Sequence, residues 1–479
     1  MFSRDDRMKR IAIVGGGISG LSAAFALEQQ RRTGLALEYV LFESSSRLGG
    51  VIQTEQIEGC LVEAGPDSFL TEKPWAARLC QQLGIGDQLI GSNDAGRKTY
   101  ILIKGELVPL PDGLMFMVPT KVMPTALSPL FSTRTKLRMV RELFRRAEKL
   151  ASDESVASFI ERHYGHEMVE RLADPLLAGV YGGEASQLSV RAVLPRFADM
   201  ETKHGSLGRG MISSRGKFAK SAASPSRPLF TSLRNGMQQL VDAVENQLTS
   251  SSIRKNTAVQ ALYLGESACE LTSTHGPESF DGIILAVPAH HAAKLIADSS
   301  KPLSEELKGV GYTSSITVAL GYGPQVRAKL PAGFGFLVPR SENRQILAAT
   351  FVHNKFPHRA PPDKALLRCF LGRARAESML QSSDEEIVAG VRDDLREILG
   401  VADEPDFLRV YKWKQAMAQY GVGHLERRVR IESLLQQFPA LALAGNAYEG
   451  IGVPDCIRSG EAAVQKLLSA VGLQRDVAK

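Results

Sequence analysis

The segment RIAIVGGGISG, Arg10 to Gly20, constrains this chain more than any other, because it passes from an apolar run through a glycine turn into a helical pattern. Gly15, Gly17 and Gly20 supply the GxGxxG spacing, with Gly16, Ile18 and Ser19 between them. Glycine permits the tight turn, lets backbone N–H groups approach a phosphate and lets the helix pack closely on the strand; the helix N-terminus then favours negative charge. Arg10–Val14 reads as a buried strand, Ile18–Gln30 as a helix with Ile18, Leu21 and Phe25 on one face, and Leu37–Glu43 as a second strand. This is the opening βαβ unit of a dinucleotide-binding fold.

Glycines alone are weak evidence, and Glu43 strengthens them. A carboxylate at the end of the second strand accepts hydrogen bonds from adenosine ribose hydroxyls, and it repels the 2′-phosphate of NADP. Arg47-Leu48-Gly49-Gly50 follows at once, its glycine pair again allowing backbone to approach phosphate, with Arg47 either a charge partner or a surface ion pair. Near the C-terminus Leu443–Ile457 reads as strand, glycine turn and helix, with Pro454 near the helix start and backbone donors aimed at an electron-rich group. There is a single dinucleotide fingerprint and no CxxC, so neither NADPH nor a dithiol is expected to deliver electrons.

With 479 residues the chain is too long for one ordinary core. The fold class expected is α/β: a Rossmann-like nucleotide-binding domain assembled from 1–78, 229–289 and 439–479, a mixed-sheet substrate domain over 290–438, and an inserted helical domain over 79–228. Helical periodicity is read at Arg134–Ser152, Ser155–His163 and Glu167–Leu177, and Glu201–Pro228, rich in Ser, Gly, Lys and Arg, reads as a mobile basic loop. A helix is expected at Gly236–Leu248 and strands at Ala258–Leu264 and Gly282–Val287.

The net charge of +6 is spread along the chain, which argues against nucleic acid as a partner. Five scattered cysteines and a polar, mixed-charge start fit a reducing cytoplasm without export, and no metal-ligand cluster is present. The apolar stretch Leu107–Leu130 is interrupted by five prolines and falls short of a spanning helix. Within it Met115, Phe116, Met117 and Val118, flanked by basic residues, are a candidate for peripheral membrane contact or for the wall of a buried tunnel.

Several stretches carry a family resemblance: GGGISGLSAA, FESSSRLGG, EAGPDSFL at Glu63–Leu70, GVYGGEASQLSVRA at Gly179–Ala192, GFGFLVPRSE at Gly333–Glu342, QYGVGH at Gln419–His424 and LAGNAYEGIGVPDCI. Through them the chain resembles the protoporphyrinogen and coproporphyrinogen oxidase family, within the amine-oxidase-like flavoproteins. The resemblance implies non-covalent FAD held by Gly15–Gly20, Glu43, Ser44, Arg47, Gly49, Gly50, Gly65, Pro66, Asp67, Ser68, Val259, Trp413, Ile451, Gly452 and Val453. Trp413 read without the family is a core aromatic. A porphyrinogen pocket would be formed by Phe334, Gly335 and Leu337, with Gly335 allowing close approach to the flavin, and Lys73, Arg97, Lys98 and Thr99 would lie near the substrate propionates. Some relatives carry arginine at the position of Thr99. The implied reaction passes hydride from a meso carbon to the flavin and electrons to dioxygen, giving hydrogen peroxide, with no side-chain base. Coproporphyrinogen III and protoporphyrinogen IX both remain open, GPDSFL and VPDC favouring the former. The alternatives are an amine oxidase or carotenoid desaturase, or a non-catalytic partner-binding protein of the same fold; oligomeric state is not legible.

Overall fold

The computed structural model describes residues 8–111, 114–115, 118–119, 122–147, 152–219, 227–265, 269–372 and 376–473. Strands from both ends of the chain meet in one parallel sheet, in the order Ile253–Arg254, Leu37–Phe42, Lys9–Val14, Gly282–Leu285, Leu441–Leu443. Lys9–Val14 lies at its centre and is covered on both sides, which is why its apolar run is continuous and not alternating. Ile11 and Ile13 face the helices Ile18–Arg32 and Val453–Ala470, while Ala12 and Val14 join a second core with Phe42, Phe280 and Ile296. The two helices approach closely, since a Cβ on Gly460 would lie 2.2 Å from the Ser19 carbonyl oxygen.

A larger, seven-stranded sheet runs Phe407–Gln419, Gly311–Tyr322, Ala365–Leu371, Ala348–Phe351, Gly335–Leu337, Thr99–Ile103, Glu106–Pro109. Its last two strands fall within 79–228, the segment expected as an inserted helical domain. Tyr100 and Leu102 point into the core of this sheet, whereas Ile101 and Ile103 point into the helical layer behind it. With both faces covered by apolar neighbours, TYILI loses the alternation that identifies a strand.

The helical layer packs Phe159, Ile160, Tyr164 and Leu172 against Ile101. The expected helix Glu167–Leu177 is divided: His166–Met168 leads into a π-helical turn at Val169–Ala173, followed by Asp174–Tyr181. Pro175, which has no N–H to donate, sits at the junction. The expected helix Arg134–Ser152 is shorter, spanning Thr133–Glu142, with 148–151 outside the described residues. Glu201–Pro228, expected as a mobile loop, is largely helical through Pro195–His204 and Leu207–Ala219, while 220–226 lie outside the described residues.

A buried ion cluster explains that helix pair. His163 Nδ1 lies 3.1 Å from Glu142 and Nε2 lies 3.0 Å from Glu201, all three out of contact with water. Glu142 also accepts from the backbone N–H of Leu207 and Gly208, which begin the second helix, and from Ser206 Oγ at 2.9 Å. Burial opposes ionisation of both glutamates, yet His163, with Arg162 at Glu201, outweighs it; Glu142 is lowered and Glu201 falls to about 2. Depressed carboxyls contribute stability that is complete above their ordinary range and is lost as pH falls toward about 2. His163→Gln is therefore expected to cost about 3–5 kcal/mol and to move acid unfolding to higher pH. Circular dichroism melts between neutral pH and the acid limit would show this, and an unchanged acid midpoint would count against it.

Among the described residues no helix is long and apolar enough to cross a membrane. Phe116 and Met117 lie outside the described residues, as do the side chains of Met115 and Val118.

Candidate functional site

The glycine turn sits at the carboxyl end of the parallel sheet, where the central strand stops at Val14. Gly15 adopts φ +108°, and Gly20 packs so close that a Cβ there would fall 1.8 Å from the Gly15 carbonyl oxygen. Gly17 differs: it has ordinary extended geometry, φ −69°, and nothing lies within 4 Å of where its Cβ would be. The open side of the turn is thus at Gly17, beside the first-turn N–H groups of Ile18 and Ser19, which have no acceptor within the helix.

Glu43 reaches across this opening. Its Oε2 accepts from the Gly16 N–H at 2.7 Å and its Oε1 from the Ser45 N–H at 2.8 Å, with Ser44 Oγ at 3.3 Å. The Arg47–Gly50 loop stacks directly on the turn, the Gly49 N–H donating to Gly16 O at 2.8 Å and Gly50 lying over Gly17. Arg47 finds partners within its own loop. Its guanidinium donates to the carbonyls of Leu48, Gly50 and Ile52, clamping its own loop. Val259 stands close to this end of the sheet, since the Thr257 N–H bonds Glu43 O at 2.8 Å.

Gly65–Ser68 continues the same surface, for a Cβ on Gly65 would meet Val51 O at 1.8 Å. Trp413 Nε1 donates to Ala64 O at 2.9 Å, so its indole holds the start of this segment in place. Asp67 is bound by Lys355 at 2.8 Å, and its carboxyl, although burial opposes ionisation, is held well below the usual range by Lys355, Arg368 and Arg359. Ile451, Gly452 and Val453 supply the N-terminus of an 18-residue helix with Pro454 in its first turn. Lys73 pairs with the buried carboxylate of Asp455 in that turn, at 2.5 Å, so its ammonium is already engaged.

Phe334, Gly335 and Leu337 join Lys98, Thr99 and Ile101 through backbone pairing, and Arg97 immediately precedes that segment. The Phe334 N–H bonds Lys98 O at 2.7 Å, and Gly335 lies opposite Thr99 in a parallel register. Arg97 and Lys98 are exposed, the latter over the Tyr100 ring at 5.3 Å. Leu337 turns toward Gly179, its Cδ2 lying 3.6 Å from where a Cβ on that glycine would be. The family resemblance implies that Gly335 allows close approach to the flavin, and in the structure a Cβ there would point into the neighbouring strand, 1.9 Å from Ala349 O.

Three distant motifs converge here. Gln419 Nε2 donates to Tyr181 O at 2.6 Å, the Tyr420 hydroxyl donates to Asn446 O at 2.8 Å and accepts from the Gly450 N–H at 2.6 Å, and His424 stacks on Tyr420 at 4.0 Å. Burial pushes the Tyr181 hydroxyl up to about 12, so it stays neutral at physiological pH. Sequence reasoning missed these tyrosines as well as Asp455, Lys355, Arg359 and Arg368. A charge inside the apolar strand ALLRCFL was the available signal for Arg368.

The family model for flavin containing amine oxidoreductases matches residues 18–468. The chain belongs to this family. Coproporphyrinogen III oxidase of Bacillus subtilis (strain 168) is 36% identical over 97% of this chain and 99% of its own length. The enzyme of the same name from Staphylococcus aureus (strain NCTC 8325 / PS 47) is 30% identical, covering 96% and 99%. A crystal structure of a protein from Exiguobacterium sp. 255-15 superposes with a TM-score of 0.86 at 31% identity, covering 97% of this chain and 99% of that one. This flavoprotein is accordingly an oxidoreductase with FAD as its cofactor. The turn has room for that group: nothing lies within 4 Å of where a Cβ on Gly17 would be, and Glu43 borders the opening through the Gly16 N–H.

Proposed function

We propose that this flavoprotein oxidises coproporphyrinogen III to coproporphyrin III, passing electrons from FAD to dioxygen. Similarity along essentially the whole length to coproporphyrinogen III oxidases carries this reading. The balance is three two-electron steps: one coproporphyrinogen III and three O2 give one coproporphyrin III and three H2O2. Bound FAD supplies the hydride acceptor. The pyrophosphate is assigned to Gly15–Gly20 and Gly50, the ribose to Glu43, and the ring system to Gly65–Ser68 and Ile451–Val453. Phe334 and Leu337 would hold the macrocycle, and the exposed cations Arg97 and Lys98 would meet its propionates, because Lys73 is already paired. No carboxylate or imidazole is assigned as a base, since aromatisation drives the reaction and orientation is what the protein must provide.

Anaerobic mixing tests this directly. Coproporphyrinogen III is expected to bleach the flavin at least about tenfold faster than protoporphyrinogen IX, a difference of about 1.4 kcal/mol, with colour restored on admitting oxygen. A flavin left oxidised by both compounds would remove the assignment.

Peripheral membrane contact is proposed at the helix Thr133–Glu142 and its extension. Leu137, Val140 and Phe144 fall on one exposed face, Phe144 being 78% exposed, beside exposed Arg134 and Arg141. The protein is expected to float with anionic vesicles and to sink with neutral ones. Sedimentation in both cases would end this part of the reading.

A further inference from the structure

Behind Gly65–Ser68 five ionisable side chains are packed largely out of water: Glu63, Asp67, Lys355, Arg359 and Arg368. The cations all come from the other sheet. Arg368 lies in the strand Ala365–Leu371, and Lys355 and Arg359 follow the strand Ala348–Phe351. Each grips the segment in front. Arg368 donates to the carbonyls of Gly65 and, at 3.3 Å, Ala64; Arg359 donates to Asp67 O at 3.0 Å and pairs with Glu63 at 2.9 Å; Lys355 binds the Asp67 carboxylate and, at 3.2 Å, Ser68 Oγ.

Three cations against two carboxylates leave one positive charge over. It is not neutralised by hydrogen bonding either. Arg359 Nε and Nη1 and Arg368 Nε find no acceptor among the described residues. Both guanidinium groups line a cavity of about 10 Å³ together with Glu63 and Asp67, room for one water molecule. Uncompensated charge in a protein interior is costly, and perfectly paired alternatives would be more stable. Reduction of a flavin adds negative charge to its ring system, and a fixed positive charge close by favours that state.

We propose that Arg368, with Lys355 and Arg359, acts as a positioning group that fixes Gly65–Ser68 against the flavin and sets the cofactor's reduction potential through its excess positive charge. This rests on the assignment of Gly65–Ser68 as a flavin contact. Arg368 touches neither substrate nor cofactor; it acts through the backbone it holds and through its field.

Two substitutions at one position separate charge from hydrogen bonding. Arg368→Gln keeps an amide donor for the Gly65 carbonyl and removes the charge; Arg368→Lys keeps the charge and loses the planar fork. In FAD-loaded protein equilibrated anaerobically with a reference dye, Arg368→Gln is expected to shift the flavin about tenfold toward the oxidised form, about 30 mV for a two-electron couple. Arg368→Lys is expected to stay close to wild type. Lys355→Gln removes one charge of the same cluster from a different element and is expected to shift the couple in the same direction, so the result does not depend on one variant's fold. A wild-type potential in both glutamine variants, or equal shifts in Arg368→Gln and Arg368→Lys, would overturn the proposal even if FAD affinity or turnover had dropped. No porphyrinogen enters this measurement, so failure of the substrate assignment is read separately.

Discussion

Gly20→Ala is expected to yield protein without FAD, whereas Gly17→Ala is expected to yield a stable protein that binds FAD poorly. The two glycines belong to one motif but meet different neighbours. A methyl group on Gly20 would fall 1.8 Å from the Gly15 carbonyl oxygen, a backbone atom that cannot rotate away. Relief requires the helix Ile18–Arg32 to lift from the strand Lys9–Val14, which opens the turn and disperses the N–H groups at the helix start. A methyl group on Gly17 meets nothing within 4 Å, and φ −69° is ordinary for alanine. It would occupy only the space assigned to the pyrophosphate. For Gly20→Ala a loss of FAD affinity of at least about 100-fold, about 2.7 kcal/mol, should accompany a lower melting temperature of the apoprotein. For Gly17→Ala a comparable loss of affinity should leave the apoprotein's melting temperature unchanged. FAD titration and thermal melts of the two apoproteins distinguish these outcomes. Wild-type affinity in Gly17→Ala would mean that the phosphate does not lie where the turn is open.

Local pattern made the nucleotide-binding unit legible. An apolar strand, glycines at fixed spacing, a helical face at Ile18, Leu21 and Phe25, and Glu43 at the next strand end all fall within one short stretch, and each depends on near neighbours in sequence. Where a residue's environment comes from far away, pattern misled. TYILI at Thr99–Ile103 is apolar on both faces because two different layers cover it. Glu201–Ala219 has the composition of a loop, yet it is helical where Glu142, held by His163, gathers the backbone N–H groups of Leu207 and Gly208. Arg47 followed the right motif and found its partners within its own loop. Lys355, Arg359 and Arg368 were not anticipated at all, since their partners Glu63 and Asp67 lie almost three hundred residues earlier in the chain. The family resemblance implied one pocket from Phe334–Leu337 and Arg97–Thr99, and strand pairing sets Gly335–Leu337 beside Thr99–Ile101.

Gly335 shows how the same residue can be identified for one reason and required for another. The family resemblance has it allow close approach to the flavin, so that a leucine there should stop turnover by filling that space. In the structure it adopts φ +143°, a conformation other residues rarely reach, and a Cβ would lie 1.9 Å from Ala349 O and 3.0 Å from the Thr350 Cα. Those atoms belong to the strand Ala348–Phe351, which is itself held by Ala365–Leu371 on its other side and cannot retreat alone. Even alanine must therefore break the pairing of Gly335–Leu337 with Ala348–Phe351. Strain at this backbone conformation costs about 1–3 kcal/mol, and overpacking a tight core adds about 1–3 kcal/mol more. Gly335→Ala is expected to melt several degrees below wild type and to lose most porphyrinogen oxidation, because Phe334 and Leu337 flank the disturbed residue. Gly335→Leu should be worse on both counts. A Gly335→Ala protein with wild-type melting and turnover, alongside a stable but inactive Gly335→Leu, would restore the space-over-flavin reading. If both variants lose stability together, Gly335 acts by keeping the segment Gly335–Leu337 in register, and Lys98 and Thr99, bonded to it from its other side, should lose their alignment with it.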